Sequence, residues 1–347
     1  MPLACLLCIA LHFVSCVSPS VQAKELILLS WVGHMDASVI QAFEARHDVE
    51  LRFEYVDSPD DRAQMLLRSR GSGYDLAQVG ATALPAYVGA GWLAPLGEHT
   101  IPNRRHIGNG WTEALGDAAG YCIPFLWGAI GILYREDLLE QPPGSWREFL
   151  TPRDAWSGKV MMTRGARELL AMALLAGGHS INSTDPAEIK AAGELLIAHR
   201  PMVVHDYRYT VLDGSARILR GEALAAFSWS GNPRLLMKRH DALRFIYPSD
   251  GTALWMDAWC VLAKSQDKSL AQDFIDYVNE PAIAARVAVS LTAATTNTAA
   301  LEHVPEAYRD DPVVWPPEEV IEDAEFLKSM PPRALRYYNQ IRTTLLR

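Results

Sequence analysis

Three short segments near the start of the chain decide the fold: ELILLSW (25–31), VELRFEYV (49–56) and YDLAQV (74–79). The first is an almost continuous apolar run, as in a buried parallel strand, and the second alternates apolar and polar residues. Asp36 is placed to cap a helix between the first two segments, and Gly71 to end a helix before the third. Strands and helices alternating at this spacing predict βαβ units around a mostly parallel sheet.

The alternation of strands and helices continues along the rest of the chain. Strands are predicted at 121–124, 130–135, 159–163, 223–229 and 254–262, and helices at 166–176, 186–199, 233–239, 269–279, 281–291 and 333–345. A chain of 347 residues is long enough for two cores, and no long linker separates them. We therefore predict two lobes with a ligand cleft between them, at the carboxyl ends of the strands. We assign residues 24–130 plus 258–302 to the first lobe and 131–257 plus 303–347 to the second.

The composition limits the class of protein. Apolar residues make up 49% of the chain and charged residues 21%, which excludes an intrinsically disordered chain. The 32 basic and 41 acidic residues give a net charge of −9. Nucleic-acid binding needs a basic surface, so we predict no nucleic-acid partner. An acidic surface is compatible with a cationic ligand, although most acidic proteins bind none.

The first 23 residues have the features of an export signal. They contain no charged side chain, and an apolar run at 3–14 is followed by small residues up to Ala23. This run is too short to span a bilayer. We predict a signal peptide at residues 1–23, cleaved after Ala23, and a periplasmic protein. Lipid attachment at Cys16, which ends a poor lipobox, is the alternative.

Two cysteines, Cys122 and Cys260, remain after this cleavage. In an oxidising compartment they can form one disulfide, but their spacing is equally compatible with two buried thiols. No CxxC motif or His/Cys cluster indicates a metal site, and no motif of a nucleotide-binding or hydrolytic enzyme is present. We predict that the chain is not an enzyme and has no cofactor. For Tyr337-Tyr338, one packed and one exposed ring is favoured over a ferric-iron site.

One strand carries an unusual set of side chains. Trp255, Asp257 and Trp259 alternate with other residues and so share a face of the strand. A carboxylate among indoles is costly when buried alone, but it suits a cation that also contacts the rings. The alternative is that both tryptophans belong to the core and that Asp257 pairs with an arginine. Trp31 and Trp229 favour a site, because each ends a predicted strand.

The chain resembles the periplasmic spermidine/putrescine-binding proteins of bacterial ABC importers. The resemblance covers essentially the whole chain after residue 23 and depends on motifs that occur in the same order. These are Ser30-Trp31, Tyr74-Asp75-Leu76, Ile123-Pro124-Phe125-Leu126-Trp127-Gly128, Ala166-Arg167-Glu168, Thr184-Asp185-Pro186, Trp229-Ser230-Gly231, Trp255-Met256-Asp257, Thr296-Asn297 and Tyr337-Tyr338.

The resemblance implies a two-lobed, type II-like periplasmic binding protein of the α/β class that closes around a linear polyamine. Such a protein is expected to be a monomer that delivers its ligand to an ABC permease. Asp257 matches an acid that holds a ligand amine, and Glu168 an acid at one end of the ligand. The ligand-binding residues predicted in this way are Trp31, His34, Thr82, Glu168, Trp229, Trp255 and Asp257.

Several positions depart from the spermidine-binding pattern. Gly33 and Gly165 stand where that pattern has acids, and Thr82 and Ala293 where it has tyrosines. We therefore predict weakened spermidine binding and a ligand that is either a short diamine or a bulkier amine. Two alternatives remain open: a polyamine sensor that acts on a membrane signalling enzyme, and a different amine or an amino-acid-like ligand. Arg164 would permit a ligand carboxylate, although a solvated surface charge is the preferred interpretation.

Overall fold

The computed structural model describes residues 24–56, 58–97, 99–204 and 211–347. The predicted signal peptide, with Cys16, lies outside these residues. The strands are β1 (Lys24–Trp31), β2 (Val49–Val56), β3 (Leu76–Gly80), β4 (Cys122–Arg135), β5 (Val160–Met161), β6 (Ala225–Trp229), β7 (Leu243–Ile246), β8 (Ala253–Val261), β9 (Ala294–Thr295) and β10 (Glu325–Phe326).

The helices of the described residues are α1 (Ala37–His47), α2 (Pro59–Ser69), α3 (Leu84–Gly89), α4 (Asn109–Ala114), α5 (Trp146–Leu150), α6 (Ala166–Ala176), α7 (Pro186–His199), α8 (Asn232–Met237), α9 (Lys268–Val278), α10 (Pro281–Leu291), α11 (Glu306–Arg309), α12 (Glu318–Glu322) and α13 (Pro332–Leu345). Several caps are those that the sequence predicts. The Asp36 carboxylate accepts hydrogen bonds from the amides of Ser38 and Val39, and Asp185 caps α7 with a proline in the first turn.

The strand order is β2-β1-β3-β8-β4-β6-β5. β1 pairs in parallel with β2 and β3, as the βαβ pattern predicts. The central strand β8 runs antiparallel to both of its neighbours, β3 and β4. Each lobe therefore has a mixed sheet, because the strands that join the lobes run against their neighbours.

β4 is one continuous strand of 14 residues, so the prediction of two short strands around Trp127-Gly128 was wrong. Trp127 and Gly128 pair with Met256 and Trp255 of β8 and continue the ladder. Pro124 lacks an amide hydrogen, and the register shifts directly after it, between Pro124 and Leu126. A bulge therefore accommodates the proline that would otherwise have interrupted the strand.

The two lobes have separate hydrophobic cores. The first core is built from residues between 26 and 129 and between 254 and 314. The second is built from residues between 130 and 253 and between 327 and 345. β4 changes partners at the same point, pairing with β8 up to Ala129 and with β6 from Ile130. The boundary predicted at 302/303 lies inside a stretch that packs into the first core.

A disulfide joins Cys122 and Cys260. The sequence analysis was compatible with this bond and with two free thiols. They are directly opposed partners in the antiparallel β4–β8 ladder, with their Cα atoms 4.3 Å apart. This pair lies at the first-lobe end of the ladder, away from the point where the chain passes into the second lobe. Within the described residues, no helix is long and apolar enough to cross a membrane.

Candidate functional site

Asp257 is held by the ends of two neighbouring strands. Its side chain is only 7% exposed, and its Oδ2 accepts hydrogen bonds from Trp31 Nε1 at 2.9 Å and Gln78 Nε2 at 3.3 Å. Trp31 ends β1, and Gln78 lies near the end of β3, which pairs with β8. Burial raises the pKa of Asp257 to about 6, against the lowering effects of Arg62 and of both hydrogen bonds.

Gln78 also fixes the state of His34. Its Oε1 accepts from the Ser30 hydroxyl at 2.8 Å, so its Nε2 is the donor that faces both Asp257 and His34 Nδ1, the latter at 3.2 Å. His34 Nδ1 is therefore an acceptor, and the ring is neutral. Burial, and then the nearby Arg62, lower the pKa of His34 to about 4.

Arg62 is a buried cation that the sequence analysis did not identify. It lies on α2, its side chain is 1% exposed, and its guanidinium carbon lies 4.1 Å from the centre of the Trp31 ring. Its Nε and Nη1 atoms are buried without a hydrogen-bond acceptor among the described residues. Burial lowers the pKa of Arg62, while Tyr87 and Asp257 raise it. The sequence signal for its burial is its spacing from the buried Leu66, because residues four apart lie on the same face of a helix.

Glu168 provides the acid of the second lobe. It lies in the first turn of α6, half-buried, and its carboxylate folds back over Gly165. A Cβ atom at Gly165 would lie 1.9 Å from Glu168 Oε2, so glycine is what leaves room for this conformation. Burial raises the pKa of Glu168, and Arg167 and Arg342 oppose that shift. None of the ion pairs among the described residues involves Glu168.

The predicted indoles divide into cleft and core residues. Trp229 ends β6, half-buried, with its ring edge-to-face with Phe227 at 4.9 Å. Trp255 packs against both cores. A Cβ atom at Gly128 would lie 2.8 Å from the Trp255 ring, so this glycine lets the indole lie on β4. Trp259 is fully buried in the first core, as the alternative interpretation of this strand expected.

The remaining predicted positions lie around this centre. Thr82 is half-buried in the short turn that follows β3. Ala293 is buried, and its carbonyl accepts a hydrogen bond from the Tyr308 hydroxyl. The side chain of Arg164 is exposed, and its carbonyl accepts from Arg342 Nε at 2.8 Å. In the Tyr pair, Tyr338 is buried and Tyr337 is half-buried, so neither ring is fully exposed.

Contacts across the cleft bring the two lobes together. Asp60 on α2 of the first lobe forms an ion pair with Arg342 on α13 of the second, at 2.5 Å. The negative charge of Glu168 contributes to the raised pKa of Asp257, so the two carboxylates interact although they belong to different lobes. In the part of the chain that the structure describes, no group of three or more His, Cys, Asp or Glu residues could hold a metal ion.

This geometry agrees with the comparison with protein families. The family model of bacterial extracellular solute-binding proteins matches residues 38–314. The chain belongs to this family. This solute-binding protein is 23% identical over 316 residues to spermidine/putrescine-binding periplasmic protein 1 of Haemophilus influenzae. The match covers 90% of this chain and 86% of that protein. It is 26% identical over 313 residues to the norspermidine sensor of Vibrio cholerae, with the same two coverages.

Solved structures of solute-binding proteins share the fold. The spermidine/putrescine substrate-binding protein PotD of Streptococcus pneumoniae has a TM-score of 0.77 at 20% identity, over 93% of this chain and 98% of that chain. The Tp0655 lipoprotein of Treponema pallidum has a TM-score of 0.78 at 21% identity, over 93% and 99% of the two chains. The predicted family and the predicted two-lobed fold are confirmed. The relatives in Haemophilus influenzae and Escherichia coli are spermidine/putrescine-binding periplasmic proteins.

Proposed function

We propose that this solute-binding protein captures a small cation of the polyamine class in the cleft between its lobes. The supporting observation is that Asp257, buried in the first lobe, accepts hydrogen bonds from Trp31 and Gln78 at the ends of two strands. Its charge also interacts with that of Glu168 in the second lobe. Carboxylates provide charge, and indole faces contact both cations and methylene chains. Several curated relatives with this fold are spermidine/putrescine-binding proteins, which supports the same ligand class.

Each predicted residue has a role in this proposal. Glu168 holds a ligand ammonium group on the second-lobe side. Trp229 and Trp255 contact the aliphatic chain of the ligand. The first-lobe wall is formed by Trp31, His34, Thr82 and Asp257.

Binding operates by closure of the lobes. We assign residues 24–129 and 254–314 to the first lobe and 130–253 and 327–345 to the second, following the two cores. The chain passes between the lobes where β4 changes partners, so this point acts as the hinge. A ligand that contacts both walls stabilises the closed form by the difference in its contacts between the two forms.

The closed protein delivers its ligand to the permease of an ABC importer. A second candidate output is a membrane signalling enzyme, because a relative 26% identical to this chain is a norspermidine sensor. Deleting the gene and measuring uptake of labelled ligand separates the two. An importer component loses uptake, whereas a sensor leaves uptake unchanged and alters the output of its signalling enzyme.

The binding step is tested directly by isothermal titration with putrescine and spermidine. Glu168→Gln removes the charge with little change of shape, and truncating one member of a desolvated charge pair costs about 2–5 kcal/mol in affinity. The matched control is Glu194→Gln, an exposed glutamate of the same lobe. Equal affinity of the Glu168 variant and the control would contradict the assignment. Recovery of unaltered ligand after incubation tests binding without catalysis.

Export and assembly complete the proposal. We infer that the mature chain begins at Lys24 in the periplasm and acts as a monomer. Intact-mass measurement of the mature protein distinguishes cleavage after Ala23 from lipid attachment at Cys16. Light scattering with and without ligand tests the monomer, and a ligand-dependent dimer would contradict it.

A further inference from the structure

The turn that follows Trp229 is bonded to the first lobe, although Trp229 itself ends a strand of the second. Ser230 forms two hydrogen bonds with Ala129. Its amide donates to the Ala129 carbonyl at 2.7 Å, and its hydroxyl accepts from the Ala129 amide at 3.0 Å. Ala129 is the last residue of β4 that pairs with β8, at the point where the chain passes between the lobes. The turn therefore lies at the hinge, where a rotation of the lobes displaces atoms least.

Gly231 brings the same turn against the end of α10, in the first lobe. Its φ of +84° is a conformation that glycine adopts readily, and a Cβ atom there would lie 1.7 Å from the Thr292 carbonyl oxygen. The Thr292 hydroxyl also donates a hydrogen bond to the Gly231 carbonyl at 3.1 Å. Glycine at this position is thus what allows the backbones of the two lobes to touch.

A further segment that packs into the first core, residues 311–313, holds the turn as well. The Gly231 amide donates a hydrogen bond to the Val313 carbonyl at 2.7 Å. Three residues further along the chain, in α8, Arg234 forms an ion pair with Asp311. The Asp311 carboxylate also accepts a hydrogen bond from the Val313 amide at 3.0 Å. One carboxylate therefore stabilises the segment and binds the helix that follows the turn.

The ion pair is shielded from water on both sides. The side chains of Arg234 and Asp311 are 29% and 11% exposed. Salt and water weaken an ion pair of this kind less than they weaken a pair on the surface. Asp311 thus holds Arg234, and with it the start of α8, against the first lobe.

We propose that Asp311 is a positioning residue for Trp229. By holding the 229–231 turn against the first lobe, it fixes the Trp229 indole relative to Asp257, the acid of that lobe. A side chain that is already held in place loses less conformational entropy when the ligand binds, so the ligand binds more tightly. The assignment rests on the proposed function, in which Trp229 contacts the aliphatic chain of the ligand.

Isothermal titration with putrescine and spermidine tests this role in two backgrounds, the wild type and Trp229→Phe. Asp311→Asn removes the charge of the ion pair and keeps an oxygen for the Val313 amide. We expect it to weaken binding about fivefold in the wild type and less than about twofold in Trp229→Phe, because the indole that Asp311 positions is then absent. Asp310→Asn, at the exposed neighbouring acid, is the matched control and should bind as the wild type does.

Tryptophan fluorescence at saturating ligand gives a readout that a purely structural role would not change. The spectral change that the ligand causes with Trp229 present, minus the change in Trp229→Phe, reports the surroundings of this indole alone. We expect this difference to shrink when Asp311→Asn is introduced and to stay the same with Asp310→Asn.

Two variants of the partner residue keep the test available if Asp311→Asn does not fold. Arg234→Met removes the same ion pair from the other side and should reproduce both results. Arg234→Lys keeps the positive charge and should retain most of the wild-type affinity.

The outcomes separate the role of Asp311 from the function on which it rests. Equal losses of affinity in the two backgrounds, or an unchanged fluorescence difference, would overturn this role. So would an Asp311→Asn variant that binds as tightly as the control. In these cases weaker binding by Glu168→Gln still supports the cleft. If the wild type binds neither amine, the proposed function fails and the role of Asp311 with it.

Discussion

The two walls of the cleft hold their carboxylates in opposite ways. In the first lobe, Asp257 accepts two hydrogen bonds and lies near the buried guanidinium of Arg62. In the second lobe, Glu168 folds over a glycine and forms no ion pair among the described residues. Neither acid forms an ion pair among the described residues, and each has arginines nearby: Arg62 for Asp257, and Arg167 and Arg342 for Glu168. The two walls therefore differ in the hydrogen bonds that hold the acid and not in whether a cation lies near it. Two acids at equivalent-looking motif positions do not imply two equivalent subsites.

The lobes also differ in how they are stabilised, since the disulfide lies in the first. Replacing both Cys122 and Cys260 by alanine should lower the free energy of unfolding by about 4 kcal/mol, because the bond closes a long loop. Its partners are 138 residues apart. Urea unfolding of the variant and of the chemically reduced wild type should agree. If the free energy of unfolding falls by less than about 1 kcal/mol relative to the oxidised wild type, the disulfide does not stabilise the first lobe in the way proposed.

The electrostatic interaction of Asp257 with Arg62 in the first wall can be measured as a coupling energy. Asp257→Asn should lower the free energy of unfolding by about 2 kcal/mol, since it weakens two hydrogen bonds to a carboxylate and removes the negative charge near the Arg62 guanidinium. Adding Arg62→Met should restore part of that loss. Strictly additive effects in this double-mutant cycle would show that the two charges do not compensate each other. Glu168→Gln, in the second wall, should change the free energy of unfolding by only about 0.5 kcal/mol.

Each lobe contains a buried histidine that makes its stability sensitive to acid. His199 is buried, its Nδ1 donates to the Leu150 carbonyl at 3.1 Å, and burial lowers its pKa to about 4. A lowered histidine pKa gives stability that is present above pH 6.5 and is lost as the pH falls toward 4. In the first lobe, the lowered pKa of His34 acts in the same direction, but the raised pKa of Asp257 opposes it between pH 6 and 4. In the second lobe, the raised pKa of Glu168 opposes the effect of His199 in the same way.

The measurement is urea unfolding at pH 7 and pH 4.5. The wild type should lose free energy of unfolding between pH 7 and pH 4.5, and we expect this loss to be about 2 kcal/mol smaller in His199→Gln. The exposed His303→Gln is the control. If both variants lose as much stability on acidification as the wild type does, the acid sensitivity arises elsewhere.

The smallest expected effect concerns the ion pair that joins the walls. Arg342→Met should weaken ligand binding about two- to threefold, because a partly exposed ion pair contributes about 0.5 kcal/mol. The pair formed with Asp60 should also be screened by salt, so the difference from wild type should shrink in high salt. Titration at two ionic strengths, with the exposed Arg336→Met as control, provides the comparison. A difference that is independent of salt would show that Arg342 acts through packing.

The sequence predicts the alternation of elements well, because apolar periodicity and caps are local signals. The bounds of α6 and α10 agree with their predicted bounds, and Asp36 caps α1. The continuity of β4 was not predictable in this way. Pro124 and Gly128 are signals of a break in an isolated segment, whereas pairing with β8 compensates for both.

The site shows the same limit. Trp31 and Asp257 could be identified from the sequence, because Trp31 ends a strand and Asp257 lies within one, and the apolar pattern predicts both strands. For Arg62, the spacing from Leu66 indicates only that both residues share a face of α2, and the contact with Trp31 becomes visible only in the structure. The structure also gives a reason for Gly165, where the spermidine-binding pattern has an acid. A side chain at this position would clash with the Glu168 carboxylate, so an acid at 165 would displace Glu168 from its present conformation.

The covalent bond between β4 and β8 also limits how the two strands can slip against each other. In a strand, a slip of one residue exchanges the two faces, and would present Met256 and Ala258 to the cleft in place of Asp257. The bulge after Pro124 is the point where such a slip could be absorbed. Because Cys122 and Cys260 are joined as directly opposed partners, the two strands cannot slide past each other as a whole. The bulge lies between the disulfide and the pair Leu126–Asp257, so the face on which Asp257 lies depends on the bulge as well as on the oxidation of two thiols.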